Sequence, residues 1–444
     1  MKCIAMRSWR RLVLAAVLLV GGTGVPGMAA ETNKIVASGA PPVVKAVAGA
    51  EGKAATNTAA TGSLDNLPAI IFDESSGDWV VDRFAGNSTC GFRLYQGPAR
   101  EVGGLGRIKE AVATPDGSVY LVAGGNESVV TPLLKVTPDG MLRLMMGKKG
   151  LIEGPMEQCQ AGRPIWNPKE TLLYLTGPNC LRRIVEKPDG TRWVEVVAGV
   201  PNKAGKQDGP AKEATFQSRY RGIVCNSAGV FFWLEDNGLR RIENGTVSSV
   251  PLKHLDEPKR FSFAMGGGYH GLLNTGENDD TLYISDYYGY HNFRILRCDL
   301  KNGDLIRVCG MKGAMKDWKN PTTLEKRYGA NSDGPALTHA SANSGLIGVY
   351  DPFHKAIWVH GPDEGRFRWL RLDGDGWVRT VFGASKPGTK QAKVDDNGLG
   401  IPGDQYQSMW NAVCGVDSKG GVFVAQGRNQ TGVWRAYNKR EVKP

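Results

Sequence analysis

Asp208-Gly-Pro-Ala-Lys-Glu-Ala-Thr-Phe216 decides the fold, because its opening returns along the chain. The same Gly-Pro context stands at Gln96-Gly-Pro-Ala-Arg-Glu-Val102, Glu153-Gly-Pro-Met-Glu-Gln-Cys159 and Asp333-Gly-Pro-Ala-Leu-Thr-His339. The first three copies lie 57 and 55 residues apart, and the next gap of 125 holds two periods with one degenerate copy between. A fixed period of this size marks a repeat architecture in which each unit is one supersecondary element.

Each copy leads the same series. A short apolar strand and a turn come first, as in Gly222-Ile-Val-Cys-Asn-Ser-Ala-Gly229. A strongly β-forming run follows: Ser118-Val-Tyr-Leu-Val122, Leu172-Leu-Tyr-Leu175, Val230-Phe-Phe-Trp-Leu234, Thr281-Leu-Tyr-Ile-Ser285, Ala356-Ile-Trp-Val359 and Gly421-Val-Phe-Val424. The third strand sets Arg beside an apolar residue, as in Leu181-Arg-Arg-Ile184 and Phe367-Arg-Trp-Leu370, and the fourth ends in Gly199, Gly310 or Gly383. Four strands joined by turn chemistry within roughly 50–65 residues describe a propeller blade. Six second strands predict six blades. The last unit runs out after three, and Asp78-Trp-Val-Val-Asp-Arg-Phe-Ala-Gly86 carries the missing fourth-strand pattern. The prediction is an all-β, six-bladed β-propeller of four-stranded antiparallel blades, its ring closed by the N-terminal strand completing the last blade and removing two exposed edges. Trp79, Trp193 and Trp377 recur in one position of the fourth strand and are expected to pack rather than to form a sugar platform.

Composition agrees. The 444 residues include 59 Gly and 24 Pro, about 19 % against a usual ~12 %, without the period of collagen. Residues 1–30 read as a secretory signal: Lys2, Arg7, Arg10 and Arg11 precede a short apolar run, then Gly27 and Ala29 supply small residues for cleavage. Its removal takes four positive charges and leaves +7 of the formal +11. Residues 31–63, rich in Ala, Gly, Val, Thr and Lys, read as a flexible tether, and the propeller spans 64–444. The export signal argues against a nucleic-acid partner and places the protein in the periplasm or outside the cell, without a transmembrane segment after cleavage and as a monomer. Seven cysteines remain in that oxidising setting, an odd number. The Asn302-Gly303 turn between Cys298 and Cys309 predicts a hairpin, with a disulfide joining those two across it.

The motifs Asp208-Gly-Pro-Ala-Lys-Glu-Ala-Thr-Phe, Arg221-Gly-Ile-Val, Leu239-Arg-Arg-Ile and Ile284-Ser-Asp with Asn292-Phe-Arg-Ile resemble NHL repeats over about residues 68–440. The resemblance implies a six-bladed propeller whose ligands bind at one channel mouth. Similar proteins include protein and RNA binders, a peptide-amidating lyase and lactonase-like enzymes. The enzymes among them hold a metal at the mouth through His and acidic residues, for which only Glu110 and His270 stand in suitable places here.

Aligning the blades sets Lys109, Arg163, Arg221 and His270 near that mouth, with Trp410 and Asn411 from the last blade and Arg428 from its loop. Tyr287, Tyr288, Tyr290 and His291 come from the second-to-third connection of blade four. Converging cations with aromatic faces suit a carboxylate or sulfate. The first expectation is therefore a binding protein for an anionic polysaccharide or a protein partner. Another is a lyase on an acidic carbohydrate, with Arg221 neutralising the carboxylate and Tyr288, His291 or His270 moving the proton. A third is an envelope scaffold. No G-x-S-x-G, H-E-x-x-H or phosphate-binding loop occurs. Asp373-Gly-Asp375-Gly and Asn278-Asp-Asp280 are candidate calcium ligands, but they fall at hairpin turns that favour Asp and Gly anyway, so no cofactor is expected.

Overall fold

In the computed structural model the residues described are 70–441, apart from 87–95, 102–104, 106, 125–131, 148–149, 218–219, 237, 256–261, 264–272, 288–292, 311–331, 342–346, 361–365, 384–399, 407–410 and 427–431. Their strands form six sheets, each a blade. Blade 2 shows the plan: an inner strand Pro164–Asn167, then Leu172–Gly177, Cys180–Glu186 and an outer strand Arg192–Ala198, all antiparallel. The inner strands contact those of both adjacent blades, and the inner strand of the sixth contacts that of the first. The architecture is an all-β, six-bladed β-propeller.

Five of its six sheets have five strands, not the four expected, and that of blade 4 has six. The extra one is the repeated dipeptide itself. Gly154–Pro155 pairs with the outer strand of blade 2, and Gly97–Pro98, Gly209–Pro210 and Gly334–Pro335 do the same in blades 1, 3 and 5. Each residue type answers a physical need. The glycines sit at φ between +130° and +147°, where side chains are strained. The prolines occupy an edge, where a missing N–H costs nothing. The preceding acid caps the outer strand: Val196 N donates to Glu153 Oε1 at 3.0 Å, and Ser249 N to Asp208 Oδ2 at 3.0 Å.

The residue after the proline ties one blade to the next. Gly199 N, at the end of blade 2, donates to Ala211 O of blade 3 at 2.7 Å, and Gly310 N to Ala336 O at 2.9 Å. At Gly199 (φ +85°) an added Cβ would lie 2.3 Å from Asn179 O, so the fourth strand must end in glycine. Six apolar clusters fill the seams, each mixing residues of two adjacent blades, as Leu133 and Met146 meet Leu175 and Val194 between blades 1 and 2. The core therefore lies between sheets, not within them.

The sixth sheet combines Asn411–Val416, Val422–Gln426 and Gly432–Asn438 with Trp79–Ala85 and the edge pair Ile401–Pro402. Here Pro402 stands opposite Val80, whereas Pro155 and Pro335 stand opposite Trp193 and Trp377. Trp79 is thus one residue out of step, and one residue turns a side chain to the other face of its sheet. It is fully buried against Trp358, Trp369 and Phe382, while Trp193 is 38 % exposed. The shared packing role expected of these tryptophans holds for Trp79 and fails for Trp193.

The expected Cys298–Cys309 disulfide is absent; both are free, buried thiols. The hairpin forms, but Cys298 faces Leu305 and lies in the cluster between blades 3 and 4, whereas Cys309 faces Ile295 in the cluster between blades 4 and 5. They sit on opposite faces of one sheet. Burial pushes both thiols up to about 12.

At the seam of blades 5 and 6, Asp351 Oδ2 accepts from Trp358 Nε1 at 2.8 Å and contacts His354 Nδ1 at 2.6 Å; His354 Nε2 lies 3.0 Å from Glu441. Burial opposes the imidazolium, but the two carboxylates outweigh it and raise the histidine pKa. A raised folded-state pKa stabilises fully below the unfolded value of about 6.5, and this is lost as pH rises through the folded value. Thermal melts should therefore show a stability loss above neutrality that is missing in His354→Gln; parallel profiles would contradict it.

Candidate functional site

The ends of the second strands and the starts of the inner strands, which pair antiparallel, lie at one end of the ring, together with the described residues that lead into blades 2, 3 and 5. Buried arginines of the third strands hold those connections. Arg182 Nη1 donates to the carbonyls of Gln160 (2.9 Å) and Ile152 (3.3 Å), and its Nη2 to Thr176 O (2.6 Å). Arg240 donates to Gln207 O and Thr215 O and to the Asp208 carboxylate, and Arg368 to Ser332 O and Ser341 O. A guanidinium offers five donors, so one side chain can pin both limbs of a loop.

Of the residues expected at the mouth, Lys109 and Arg221 occupy matched places. Each is the extra residue of a β-bulge, between Ile108 and Glu110 in blade 1 and between Tyr220 and Gly222 in blade 3. Bulges re-aim side chains and occur preferentially beside functional sites. Arg163 precedes the unbulged inner strand of blade 2, where its N–H and C=O pair with Thr176. Asn411 opens the inner strand of blade 6 opposite Gln426, and Tyr287 ends the second strand of blade 4 opposite Ser262. In consecutive blades 1, 2 and 3, Lys109, Arg163 and Arg221 therefore stand toward the same end of their inner strands. His270, Tyr288, Tyr290, His291, Trp410 and Arg428 lie outside the described residues.

Arg221 is engaged. Its Nε donates to Asp236 Oδ1 at 2.6 Å, tying the inner strand to the second-to-third turn. Beside it Glu235 is buried, accepts from Gln217 N at 2.8 Å and stands 3.8 Å from Arg240. Burial dominates there and raises its pKa. In blade 4, Asp286 holds Arg294 in a fully buried ion pair. In blade 5, His360 is buried with neither ring nitrogen hydrogen-bonded; burial, reinforced by nearby Arg368, lowers its pKa to about 3, so the ring is neutral. None of these three ionisable residues was among the expected site residues, although each directly follows one of the apolar runs quoted above and Asp286 closes the quoted Ile284-Ser-Asp motif. Perturbed groups of this kind gather at functional sites.

The acids of the two hairpin turns have protein partners: Asp375 with Arg379 at 2.6 Å, Asp280 with Lys301 at 3.0 Å. Among the described residues no group of three or more His, Cys, Asp or Glu is arranged to hold a metal ion, and no helix is long and apolar enough to cross a membrane.

No family model matches this sequence, and no curated protein matches it. Solved structures do. A structural-genomics protein of unknown function from Bacteroides thetaiotaomicron superposes with a TM-score of 0.52 at 12 % identity, over 81 % of this chain and 75 % of that one. An auxiliary nutrient binding protein from the same organism gives 0.51 at 14 % identity, over 81 % and 76 %. Another from Bacteroides ovatus gives 0.51 at 12 %, again over 81 % and 76 %. At these identities the likeness shows the fold, which is that of a β-propeller.

Proposed function

We propose that this chain is an exported NHL-type binding propeller, led by a signal over 1–30 and tethered through 31–63, that takes an acidic glycan at one channel mouth. Pairing of Trp79–Ala85 with Gly432–Asn438 and with Ile401–Pro402, and the bond from Gly86 N to Ala99 O of blade 1, support closure of the ring by the N-terminal strand. The observation that carries the ligand class is the run of basic residues: Lys109, Arg163 and Arg221 stand at or near the starts of the inner strands of three consecutive blades, two of them on bulges. Structural likeness to auxiliary nutrient binding proteins favours binding over chemistry.

Calorimetric titration with polygalacturonate tests it. Binding is expected at about 0.05 M salt and should largely vanish at about 0.5 M, where charge interactions are screened within a few ångströms. Lys109→Ala with Arg163→Ala should weaken it at least tenfold, since bonds to charged groups are worth roughly 1.5–3 kcal/mol each. Ultraviolet absorbance of an unsaturated product, lost in Tyr288→Phe, would instead establish the lyase. Neither binding nor product would leave a protein partner or the scaffold.

A further inference from the structure

A second site lies away from the mouth. On the rim of blade 2 a groove of about 680 Å³ runs along the outer strand, with Lys212 of the stretch leading into blade 3 on its other wall. Its volume falls in the range of small-molecule sites, roughly 300–1,000 Å³. The floor is Trp193, turned outward because its register opposite Pro155 is one step removed from that of Trp79. Glu195 lies two residues along on the same face. Its carboxylate receives Lys187 Nζ at 2.6 Å and Arg183 Nη2 at 3.3 Å, and Lys187 Nζ also sits 5.8 Å from the Trp193 ring centroid. Those links hold the Lys187 ammonium over the indole ring, so a ligand ring would lie against the rest of the exposed indole. Glu153, the remaining acid of the groove, accepts from Val196 N. Lys212 is exposed, and its ammonium has no ion-pair partner among the described residues.

An exposed indole is costly to keep wet, and its electron-rich face attracts the electropositive C–H edge of a saturated ring. The ion pairs around it supply donors and acceptors for hydroxyl groups. Three cations against two carboxylates leave one positive charge over. We infer that this groove binds one acidic pyranose unit, its ring on Trp193 and its carboxylate or sulfate toward Lys212. The site stands on its own geometry and does not depend on the mouth.

Trigalacturonate and its methyl ester, titrated calorimetrically, separate the outcomes. With Trp193→Ala the affinity of this site for trigalacturonate should fall at least tenfold, while Trp193→Tyr keeps an aromatic floor and retains binding. With Lys212→Gln the preference for the acid over its ester should disappear. Unchanged binding in Trp193→Ala, equal binding of acid and ester by the parent protein, or no binding at all would overturn the groove. Loss only in Lys109→Ala with Arg163→Ala would also refute it while leaving the mouth site standing. Loss only in Trp193→Ala would support the groove and refute the mouth.

Discussion

A chain that begins at residue 87 is expected not to fold, whereas one that begins at residue 70 should melt like the parent. The difference is the strand Trp79–Ala85 and what leads into it. That strand pairs along its length with the third strand of blade 6, from Trp79 opposite Asn438 to Ala85 opposite Val433. Its Trp79 and Val81 lie in the seam between blades 5 and 6, with Trp79 ring centroids 5.4 Å from Trp358 and 5.6 Å from Phe382. Its end reaches blade 1 through Gly86 N to Ala99 O at 2.8 Å. The residues just before it are also tied down: Ile71 N donates to Asp333 Oδ2 at 2.8 Å and Trp369 Nε1 to Asp73 Oδ2 at 2.8 Å. Truncating one buried tryptophan alone costs about 3–5 kcal/mol, so losing the strand should exceed a typical total stability of about 5–15 kcal/mol. Near-ultraviolet circular dichroism of the two truncations decides. A cooperative melt from the chain beginning at 87 would refute closure by this strand.

Asp286→Ala is expected to be the most damaging single substitution at the mouth end, lowering stability by about 3–5 kcal/mol. Asp286 and Arg294 are both fully buried, and Asp286 Oδ2 accepts from Arg294 Nε at 3.1 Å and also from Nη2. Removing the carboxylate takes the counter-charge from a fully buried guanidinium. A surface pair gives the contrast: Arg371 and Asp373, 3.4 Å apart and exposed, should contribute no more than about 1 kcal/mol. Replacing both buried partners, Asp286→Leu with Arg294→Met, should recover much of the loss, because two apolar side chains carry no charge to desolvate. Urea unfolding of the three variants measures this. A loss under about 1 kcal/mol in Asp286→Ala would show that the pair does not hold this end of blade 4.

Much of the ring was legible because blade chemistry repeats. The apolar runs, the turns and the terminal glycines each recur with a spacing that only stacked units explain. The Gly-Pro dipeptide was legible as a marker but not as a strand, since two residues with a proline have no alternation to read. Register was the harder quantity. Trp79 resembles Trp193 in sequence, yet its pairing is shifted by one residue, a shift signalled only by spacing: Trp79 stands seven residues before Gly86, Trp193 six before Gly199. Cys298 and Cys309 flank a true hairpin on opposite faces, which depends on the bulge between Ile295 and Leu296. Arg182, Arg240 and Arg368 were visible as a pattern, but arginine is so rarely buried that their hold on the connections could not be read from it. Glu235, Asp286 and His360 did leave a signal: an ionisable residue directly after an apolar run at the same place in successive blades.

On the proposed function, one end of this propeller takes an acidic ligand among inner-strand basic residues. Crystals of the chain grown with trigalacturonate test it most directly. Ligand density is expected at the channel mouth, with a carboxylate within hydrogen-bonding reach of Lys109 or Arg163. A fully occupied ligand seated elsewhere, with the mouth holding only solvent, would contradict it.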